Sequence, residues 1–333
     1  MAGVFTAAAS NSSIPASEPA TTWSIDAEIA QGGRIRPGWW VVFNGAVKPL
    51  PGGLFASTVP YYARFRPAYD PRLFALLGRR FSLDGSQRVL DLGAGSGALT
   101  LPLASLLREV IAVDPEPAML AEGRRLAAQA GVSGIDWRLG SSDTLLAMDV
   151  GPVLLTLMGA SFHWTDRERL LRDLDTLVEP GGAVVLATCG AQHDDLEPPP
   201  WLPVVEEVRR RHLDLERPRG SGSAGYPDVR HQEVLLRSPF CRIEEVHWDR
   251  TVSRSVDEIV GLQLSYSFSS PAALGPGLAP FEHDLRQALN AFAPAGGPLD
   301  ERVRTEAVIA ARATAADHDP LSGSGYPGTA RPR

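Results

Sequence analysis

The sequence predicts an α/β fold built on a mostly parallel sheet of seven strands, with an N-terminal β element and an inserted cap. From Arg88 onward, short apolar runs rich in β-branched residues alternate with segments of helical periodicity. This alternation is typical of a parallel sheet that is covered by helices on both faces. A glycine-rich turn at residues 93–97 follows the first run, and Pro180, Gly181 and Gly182 precede the fifth run.

The predicted elements follow one another as strand, helix, strand, helix, which is the Rossmann-like, doubly wound arrangement. Pro117 and Gly131 bracket one helix, in agreement with the preference for Pro at helix starts and Gly just past helix ends. Thr165 and Glu168 have the spacing of a capping box at the start of another helix. The predicted strands are 88–92, 110–113, 135–139, 153–158 and a fifth from 183–187, with 243–248 and 303–313 as candidates that close the sheet.

The domain organisation is predicted from changes in composition. Residues 1–22 form a disordered tail, residues 23–60 an N-terminal β element, residues 61–315 the main domain, and residues 316–333 a loose tail. Within the main domain, Pro- and Gly/Ser-rich stretches mark cap segments at about 191–240 and 254–300. The β element is predicted from apolar runs around Asn44-Gly45, a dipeptide suited to a tight hairpin turn. Three roles for it stay open: packing on the core, covering the substrate, or pairing two subunits into a homodimer.

Composition excludes several classes of function. A formal net charge of −7 argues against a surface that binds nucleic-acid phosphates. Lys48 is the single lysine, in a turn-like stretch without an apolar pocket, which makes Schiff-base chemistry improbable. Cys189 and Cys241 are far apart and indicate neither a disulfide framework nor a zinc site. The sequence shows no signal-peptide pattern and no apolar stretch long enough to cross a membrane, so we expect a cytoplasmic protein. We expect its partner to be a small molecule, and we expect it to bind neither a membrane nor a metal.

Two carboxylates decide how the glycine turn is interpreted. Gly93, Gly95 and Ala98 by themselves satisfy a dinucleotide-binding fingerprint. Asp91, however, lies at the end of the first strand, where a carboxylate repels pyrophosphate but can hold the ammonium group of a methionine moiety. Asp114 ends the second strand, where a carboxylate can accept hydrogen bonds from two ribose hydroxyls. The pair therefore favours a cationic amino-acid nucleoside over a dinucleotide.

Through these residues, the sequence resembles the class I S-adenosylmethionine-dependent methyltransferase family, and the resemblance covers most of residues 61–312. The matching features are the glycine turn with Asp91, the acid Asp114, and the Pro-Gly-Gly before the fifth strand. Residues 62–69 and 162–164 resemble a small-molecule branch that includes trans-aconitate-type and antibiotic-biosynthesis (aminoglycoside N-) methyltransferases.

The resemblance implies S-adenosylmethionine as the cofactor. Tyr62 and Arg66 would lie near its methionine carboxylate, which a guanidinium can clamp with two parallel hydrogen bonds. Ser141 replaces the acid usual in the family, so the backbone amide of Ser142 is expected to contact the adenine, with Met119 as an apolar shelf beneath it. The expected cofactor-binding residues are Tyr62, Arg66, Asp91, Gly93, Ala94, Gly95, Gly97, Asp114, Pro115, Met119, Ser141, Ser142, Met158, Gly159 and His163.

The end of the fourth strand is expected to face the methyl donor. His163 is the candidate catalytic base, since an imidazole titrates near neutrality, and a structural role for it is equally open. Asp195 follows His193 and Asp194, but three adjacent residues rarely converge on one ion, so we expect a solvated loop rather than a metal site. The expected substrate-binding residues are Trp164, Gln192, His193, Asp194, Ser265 and Ser267.

The predicted function is methyl transfer to a polar small molecule. The acidic cap residues suggest a cationic acceptor, and the specific hypothesis is N-methylation of an aminoglycoside-like sugar in antibiotic biosynthesis. An O- or carboxyl-methyltransferase of the same fold is the near alternative. An NAD(P)-dependent oxidoreductase that uses Gly93, Gly95 and Ala98, and a cofactor-binding protein without catalysis, are the more distant ones.

Overall fold

The computed structural model describes residues 55–191, 193, 195–213, 229–293 and 297–313. The predicted tails, and residues 23–54 of the predicted β element, lie outside the described residues. The remaining part of that element, residues 55–60, contains no strand: Ala56–Thr58 is a 3-10 helix and Val59–Phe65 is helix α1. The β prediction is wrong for this stretch, because Pro60 lies in the first turn of α1, where its fixed φ favours a helix.

The described residues form a seven-stranded sheet in the order β3-β2-β1-β4-β5-β7-β6. The strands β1 to β5 pair in parallel, while β7 is antiparallel to both β5 and β6. The predicted, mostly parallel seven-stranded sheet is confirmed. The neighbours β1 and β4 form its topological switch point, outside which ligands bind in open α/β sheets. The strands are β1 (Arg88–Leu92), β2 (Glu109–Asp114), β3 (Ile135–Leu139), β4 (Val153–Gly159), β5 (Val178–Gly190), β6 (Arg242–Arg254) and β7 (Leu299–Ala311).

The helices flank the sheet and form the cap. After α1 they are α2 (Pro71–Arg80), α3 (Thr100–Ala104), α4 (Pro117–Ala130), α5 (Arg167–Leu177), α6 (Leu202–His212), α7 (His231–Leu236), α8 (Val256–Leu264), α9 (Pro271–Leu274) and α10 (Leu278–Phe292). Helix α4 has the predicted bounds, and Gly131 ends it in the left-handed region with φ of 67°. In the part of the chain that the structure describes, no helix combines the length and the apolar character needed to cross a bilayer.

Two helix starts differ from the prediction. The sequence predicts the first helix over residues 97–107, but α3 begins at Thr100, because Gly97 has a φ of 92°, which is incompatible with a right-handed helix. At α5 the predicted capping box is wrong: Asp166, not Thr165, is the N-cap, and its carboxylate accepts from the backbone amide of Arg169 at 3.1 Å. The Thr165 hydroxyl instead donates to a carbonyl in the preceding turn.

The two faces of the sheet bury separate apolar clusters. On β1, Leu90 and Leu92 belong to the cluster that packs against α5 and α7. Val89 belongs to the cluster that packs against α2 and α3. Because side chains alternate along a strand, Asp91 lies on the same face as Val89. A carboxylate is therefore buried at the end of an otherwise apolar strand face.

The cap has an apolar cluster of its own, formed by α6, α8 and α10. Helix α1, which leads into the main domain, packs against this cap through Phe65. The contact is close, since a Cβ added at Gly261 of α8 would lie 2.3 Å from a ring carbon of Phe65. The cap thereby positions the segment that follows α1.

The contact between Phe65 and Gly261 predicts that Gly261→Ala destabilises the protein. Although Ala is the better helix former, the added methyl must displace the Phe65 ring, and overpacking of this kind costs about 1–3 kcal/mol. The matched control is Gly78→Ala in α2, where an added Cβ meets nothing within 4 Å and should raise stability by up to about 1 kcal/mol. Urea unfolding of both variants measures the difference, and equal midpoints would contradict the packing role of Gly261.

Candidate functional site

The glycine turn connects β1 to α3 at the switch point of the sheet. Gly93 has a φ of 79° and Gly95 a φ of 55°, both in the left-handed region that favours glycine. A Cβ added at Gly93 would lie 2.4 Å from the Cβ of Ser161, the first residue of the turn after Ala160. The Ser161 hydroxyl also donates to the carbonyl of Leu92 at 2.6 Å. The turn is thus held closely against the end of β4, which leaves its other side to face a ligand.

Asp91 is a buried carboxylate with only one of its oxygens hydrogen-bonded. Its Oδ2 accepts from the Thr100 hydroxyl at 2.6 Å, and its Oδ1 is buried with no partner among the described residues. Burial raises the pKa of Asp91 to about 7, with a smaller contribution from the charge of Asp114, while the Thr100 hydrogen bond opposes the rise. A cationic donor placed at Oδ1 would compensate this cost.

Asp114 lies beside the same turn, at the end of β2. Its Oδ2 accepts from the backbone amide of Gly95 and its Oδ1 from that of Glu116, each at 2.8 Å. Burial raises its pKa, and the two amide hydrogen bonds oppose that rise. Since each carboxylate oxygen can accept more than one hydrogen bond, Asp114 can still accept from two further hydroxyls.

A cavity opens between the glycine turn, the end of β4 and the segment after α1. Seven of the expected cofactor-binding residues line it: Tyr62, Arg66, Asp91, Gly93, Ala94, Gly95 and Gly159. Six lining residues were missed: Pro67, Tyr69, Ala98, Leu99, Ala160 and Cys189. Pro67 and Tyr69 lie in the sequence segment that carried the family resemblance. Cys189 lies near the carboxyl end of β5, a position that could have indicated it.

Tyr69 forms part of the cavity wall opposite β4. Its hydroxyl lies 3.5 Å from the carbonyl of Ala187, and a Cβ added at Gly159 would come within 2.8 Å of the same hydroxyl. Burial raises the pKa of Tyr69 well above its usual value, and the neighbouring Tyr62 adds to the rise. Tyr69 therefore stays a neutral phenol. Ala160 adopts a positive φ of 51°, which lets the chain turn sharply away from the cavity after Gly159.

Arg66 extends from the segment after α1 across the cavity wall. Its guanidinium carbon lies 5.1 Å from the ring centroid of Tyr62 and 4.1 Å from that of Tyr266. One Nη donates to the carbonyl of Ser265 at 3.4 Å, while Nε is buried without a partner. This guanidinium retains donors for an anionic group.

The other expected cofactor residues, Asp114 among them, lie outside the cavity lining. Pro115 is exposed next to Asp114, and Met119 is buried in α4. Ser141 and Ser142 follow β3 at the same edge of the sheet, where the backbone amide of Gly140 donates to the carbonyl of Asp114 at 3.1 Å. The structure thus places Ser141 and Ser142 next to Asp114. Gly97 and Met158 are also away from the cavity. A Cβ added at Gly97 would lie 2.9 Å from the Trp137 ring, and the Met158 side chain packs in the apolar core.

His163 lies in a short 3-10 helix after β4 rather than in the cavity lining. Its ring stacks with that of His231 at 6.5 Å between centroids, and lies 5.1 Å from that of Trp164. Burial lowers the pKa of His163 to about 4, with further lowering by the charges of His231 and Arg167. The imidazole is therefore neutral at physiological pH. Trp164 packs edge-on against Phe55, with the ring centroids 5.9 Å apart.

The expected substrate residues of the cap are only partly brought together. His193 approaches Glu306 at 3.4 Å, and Ser265 is fully buried, its hydroxyl donating to the carbonyl of Leu262 at 2.6 Å. Ser267 is half-buried in a turn after α8. Gln192 and Asp194 lie outside the described residues. Among the residues whose positions are described, no group of His, Cys, Asp and Glu could hold a metal ion.

The cavity residues fit the S-adenosylmethionine that the family resemblance implies. The unpartnered Oδ1 of Asp91 suits an ammonium group, and Arg66 has donors for a carboxylate. Asp114 can accept from ribose hydroxyls, and the turn of Gly93 and Gly95 allows the close approach of a nucleoside.

The chain is similar to known methyltransferases. A family model described as a methyltransferase domain matches residues 89–182, which contain both acids and the glycine turn. An uncharacterised methyltransferase of Mycobacterium tuberculosis is 28% identical over 221 residues, which cover 66% of this chain and 79% of that protein. A ubiquinone biosynthesis O-methyltransferase of Caulobacter vibrioides is 32% identical over 183 residues, 52% of this chain and 67% of that protein. A solved S-adenosylmethionine-dependent methyltransferase of Thiobacillus denitrificans, in complex with S-adenosyl-L-homocysteine, superposes with a TM-score of 0.45 and 16% identity, covering 80% of this chain and 100% of that one.

The raised pKa of Asp91 predicts pH-dependent affinity for S-adenosylmethionine. The ammonium group binds the carboxylate and not the neutral acid, so the Kd should rise as the pH falls below about 7, approaching about tenfold per pH unit. Calorimetric titration across this range measures the dependence. 5′-Methylthioadenosine, which retains the nucleoside but has no amino-acid moiety, should bind with little change.

Variants of Asp91 and Asp114 test which part of the cofactor each carboxylate binds. Asp91→Asn should weaken S-adenosylmethionine and remove its pH dependence, while 5′-methylthioadenosine is unaffected. Asp114→Ala should weaken both ligands, because both carry the ribose. An equal pH dependence for the two ligands in the unaltered protein would contradict the assignment of Asp91.

Proposed function

This chain belongs to the S-adenosylmethionine-dependent methyltransferases, and on that premise we propose that it methylates an oxygen atom of a small-molecule acceptor bound under the cap. The observation that carries the proposal is the cavity at the β1/β4 switch point, with the unpartnered Oδ1 of Asp91 in its wall. The cofactor, when bound, supplies an electrophilic methyl group on a sulfonium.

The chain's own residues bind and orient the reactants. Asp91 and Arg66 would hold the two charged ends of the methionine moiety, and Asp114 the ribose. Tyr69 and Gly159 are in close contact in the cavity wall, since a Cβ added at Gly159 would lie 2.8 Å from the Tyr69 hydroxyl. Methyl transfer is an in-line displacement, and orientation of this kind can lower a barrier by about 7–11 kcal/mol.

Two observations favour an oxygen acceptor over the amine of an aminoglycoside-like sugar. The amine hypothesis rested on the acidic residues of the cap, and one of these, Asp195, already accepts two hydrogen bonds at 2.8 Å from Arg304, which also donates to Asp249. Among the described residues, Asp91 is the single carboxylate in the cavity lining, and it faces the cofactor end. The O-methyltransferase relative supports the same choice.

The proposal is tested by ligand binding followed by transfer assays. We expect S-adenosylmethionine and S-adenosylhomocysteine to bind with micromolar Kd and NADP⁺ not to bind, as measured by calorimetry. Transfer of a labelled methyl group is then compared between hydroxy acids and amino sugars, with the hydroxy acids as the expected acceptors. Binding of NADP⁺ alone would overturn the methyltransferase function, and methylation of amino sugars alone would overturn the choice of oxygen.

The sequence-based hypothesis that His163 removes the acceptor proton stays a prediction, since the structure places His163 outside the cavity lining, against His231 and Trp164. Since its pKa is about 4, the imidazole is already neutral above pH 6, so kcat should be flat from about pH 6 to 8. His163→Gln should lower kcat by about 10²-fold or more, the usual contribution of general base catalysis, with the Kd for S-adenosylmethionine unchanged. His231→Gln is the matched control on the stacked partner ring. Equal kcat values for His163→Gln and the unaltered enzyme would leave His163 a structural role only.

A further inference from the structure

Two guanidinium groups meet on one aromatic ring at the boundary between the cofactor cavity and the cap. The guanidinium carbon of Arg66 lies 4.1 Å from the ring centroid of Tyr266, and that of Arg209, on α6, lies 5.5 Å from the same centroid. Arg209 also lies 4.9 Å from the ring centroid of Phe268, which itself stacks on Tyr266 at 5.2 Å. The aromatic pair holds both cations in place.

Neither cation is neutralised by an acid. Within the described part of the chain, no carboxylate comes within ion-pair distance of Arg66 or Arg209. Other basic groups of the cap do form ion pairs, such as His212 with Asp284 and Arg286 with Glu282. Glu206 interacts with Arg209 only over a longer range. Burial lowers the pKa of Arg209, and the nearby charge of Arg66 lowers it further.

Each guanidinium also keeps unused hydrogen-bond donors. Arg209 donates through Nη2 to the side-chain oxygen of Gln263, and its Nε is buried without a partner. The Nε of Arg66 is buried without a partner as well. A buried hydrogen-bond donor without a partner costs more free energy on a charged group than on a neutral group. Binding of an anion would supply the missing partner to these donors.

The two cations differ in position. Arg66 lines the cofactor cavity, where one carboxylate, that of the methionine moiety, is its expected partner. Arg209 belongs to the cap and does not line that cavity, yet it shares the Tyr266 ring with Arg66. A second anion held by Arg209 would therefore lie beside the cofactor, on the side that the cap covers.

We propose that Arg209 binds a carboxylate of the methyl acceptor, so that the acceptor is an anionic small molecule. The inference rests on the proposed function and narrows its substrate class. A planar guanidinium held against aromatic rings matches a carboxylate in shape and charge. Arg209 touches the acceptor away from the reacting oxygen, and its role is recognition rather than chemistry.

The test uses the full-length protein labelled with ¹⁵N-arginine and saturated with S-adenosylhomocysteine. Malonate is titrated as the probe, with malonamide, its neutral analogue of the same shape, in parallel. The NMR signal of the Arg209 side-chain N–H, assigned by its loss in Arg209→Gln, should shift saturably with malonate and not with malonamide. In Arg209→Gln the Kd for malonate should rise at least about tenfold, the effect of one lost charge-assisted contact, while the Kd for S-adenosylhomocysteine stays within about twofold.

Two further variants exclude a trivial loss of structure. Arg209→Lys keeps the charge and should retain part of the malonate affinity. Arg210→Gln alters the exposed neighbour on α6 and should change neither Kd. The S-adenosylhomocysteine Kd of each variant also reports whether it is folded.

Three outcomes would overturn the inference. An Arg209 signal that shifts on adding S-adenosylhomocysteine, together with a Kd for that ligand raised tenfold in Arg209→Gln, would assign Arg209 to the cofactor carboxylate. Equal malonate binding by the unaltered protein and Arg209→Gln would place the anion elsewhere. No malonate response at Arg209 would remove the anion site. Failure to bind S-adenosylhomocysteine at all is a separate result, and it would count against the proposed function itself.

Discussion

The burial of Asp91 with one oxygen unpartnered is the constraint on which the rest of this structure depends. Asp91 lies on a buried face of the central strand β1, withdrawn from water, and Thr100 satisfies only Oδ2. Because the pKa of Asp91 is raised from 3.8 to about 7, its ionisation costs stability on the order of 4 kcal/mol above pH 7, and this cost grows as the pH rises from 4 to 7. The surrounding apolar clusters supply the stability that offsets it. A cationic ligand recovers the same energy as binding affinity.

The cap acts on this site through the segment that follows α1. Phe65 packs against Gly261, and Arg66, the next residue, turns towards both the cavity and Tyr266. Movement of the cap against α1 would therefore move a cavity residue. Some acids of the cap form ion pairs, as Glu282 does with Arg286, whereas Arg66 and Arg209 have no carboxylate partner among the described residues. This distribution favours an anionic acceptor and explains why a count of acidic residues in the sequence suggested a cationic one.

Much of the fold and half of the cavity could be predicted from the sequence, because they depend on local patterns. The apolar periodicity predicted the sheet, and the spacing of Asp91, the glycines and Asp114 predicted the core of the site. Local patterns gave only the segments of Tyr69 and Cys189, and not their contact with Ala160 in one wall, since the three residues meet only after separate segments converge at the switch point. The capping error at α5 has a local cause, because Thr165 and Asp166 can both cap a helix and the preceding turn engages the threonine.

The sequence by itself determined the alternation of strands and helices, the positions of the two acids at strand ends, and the glycines that permit positive φ values, because each follows from the chemistry of neighbouring residues. Only the tertiary structure decided which charges are neutralised. Asp195 and Arg304 are far apart in the chain yet form an ion pair, whereas Arg66 and Arg209, also distant in sequence, converge on Tyr266 with no acid of the described residues in ion-pair distance. Whether two charges pair depends on distances of a few ångströms between residues that are remote in the chain, and the sequence does not give those distances directly.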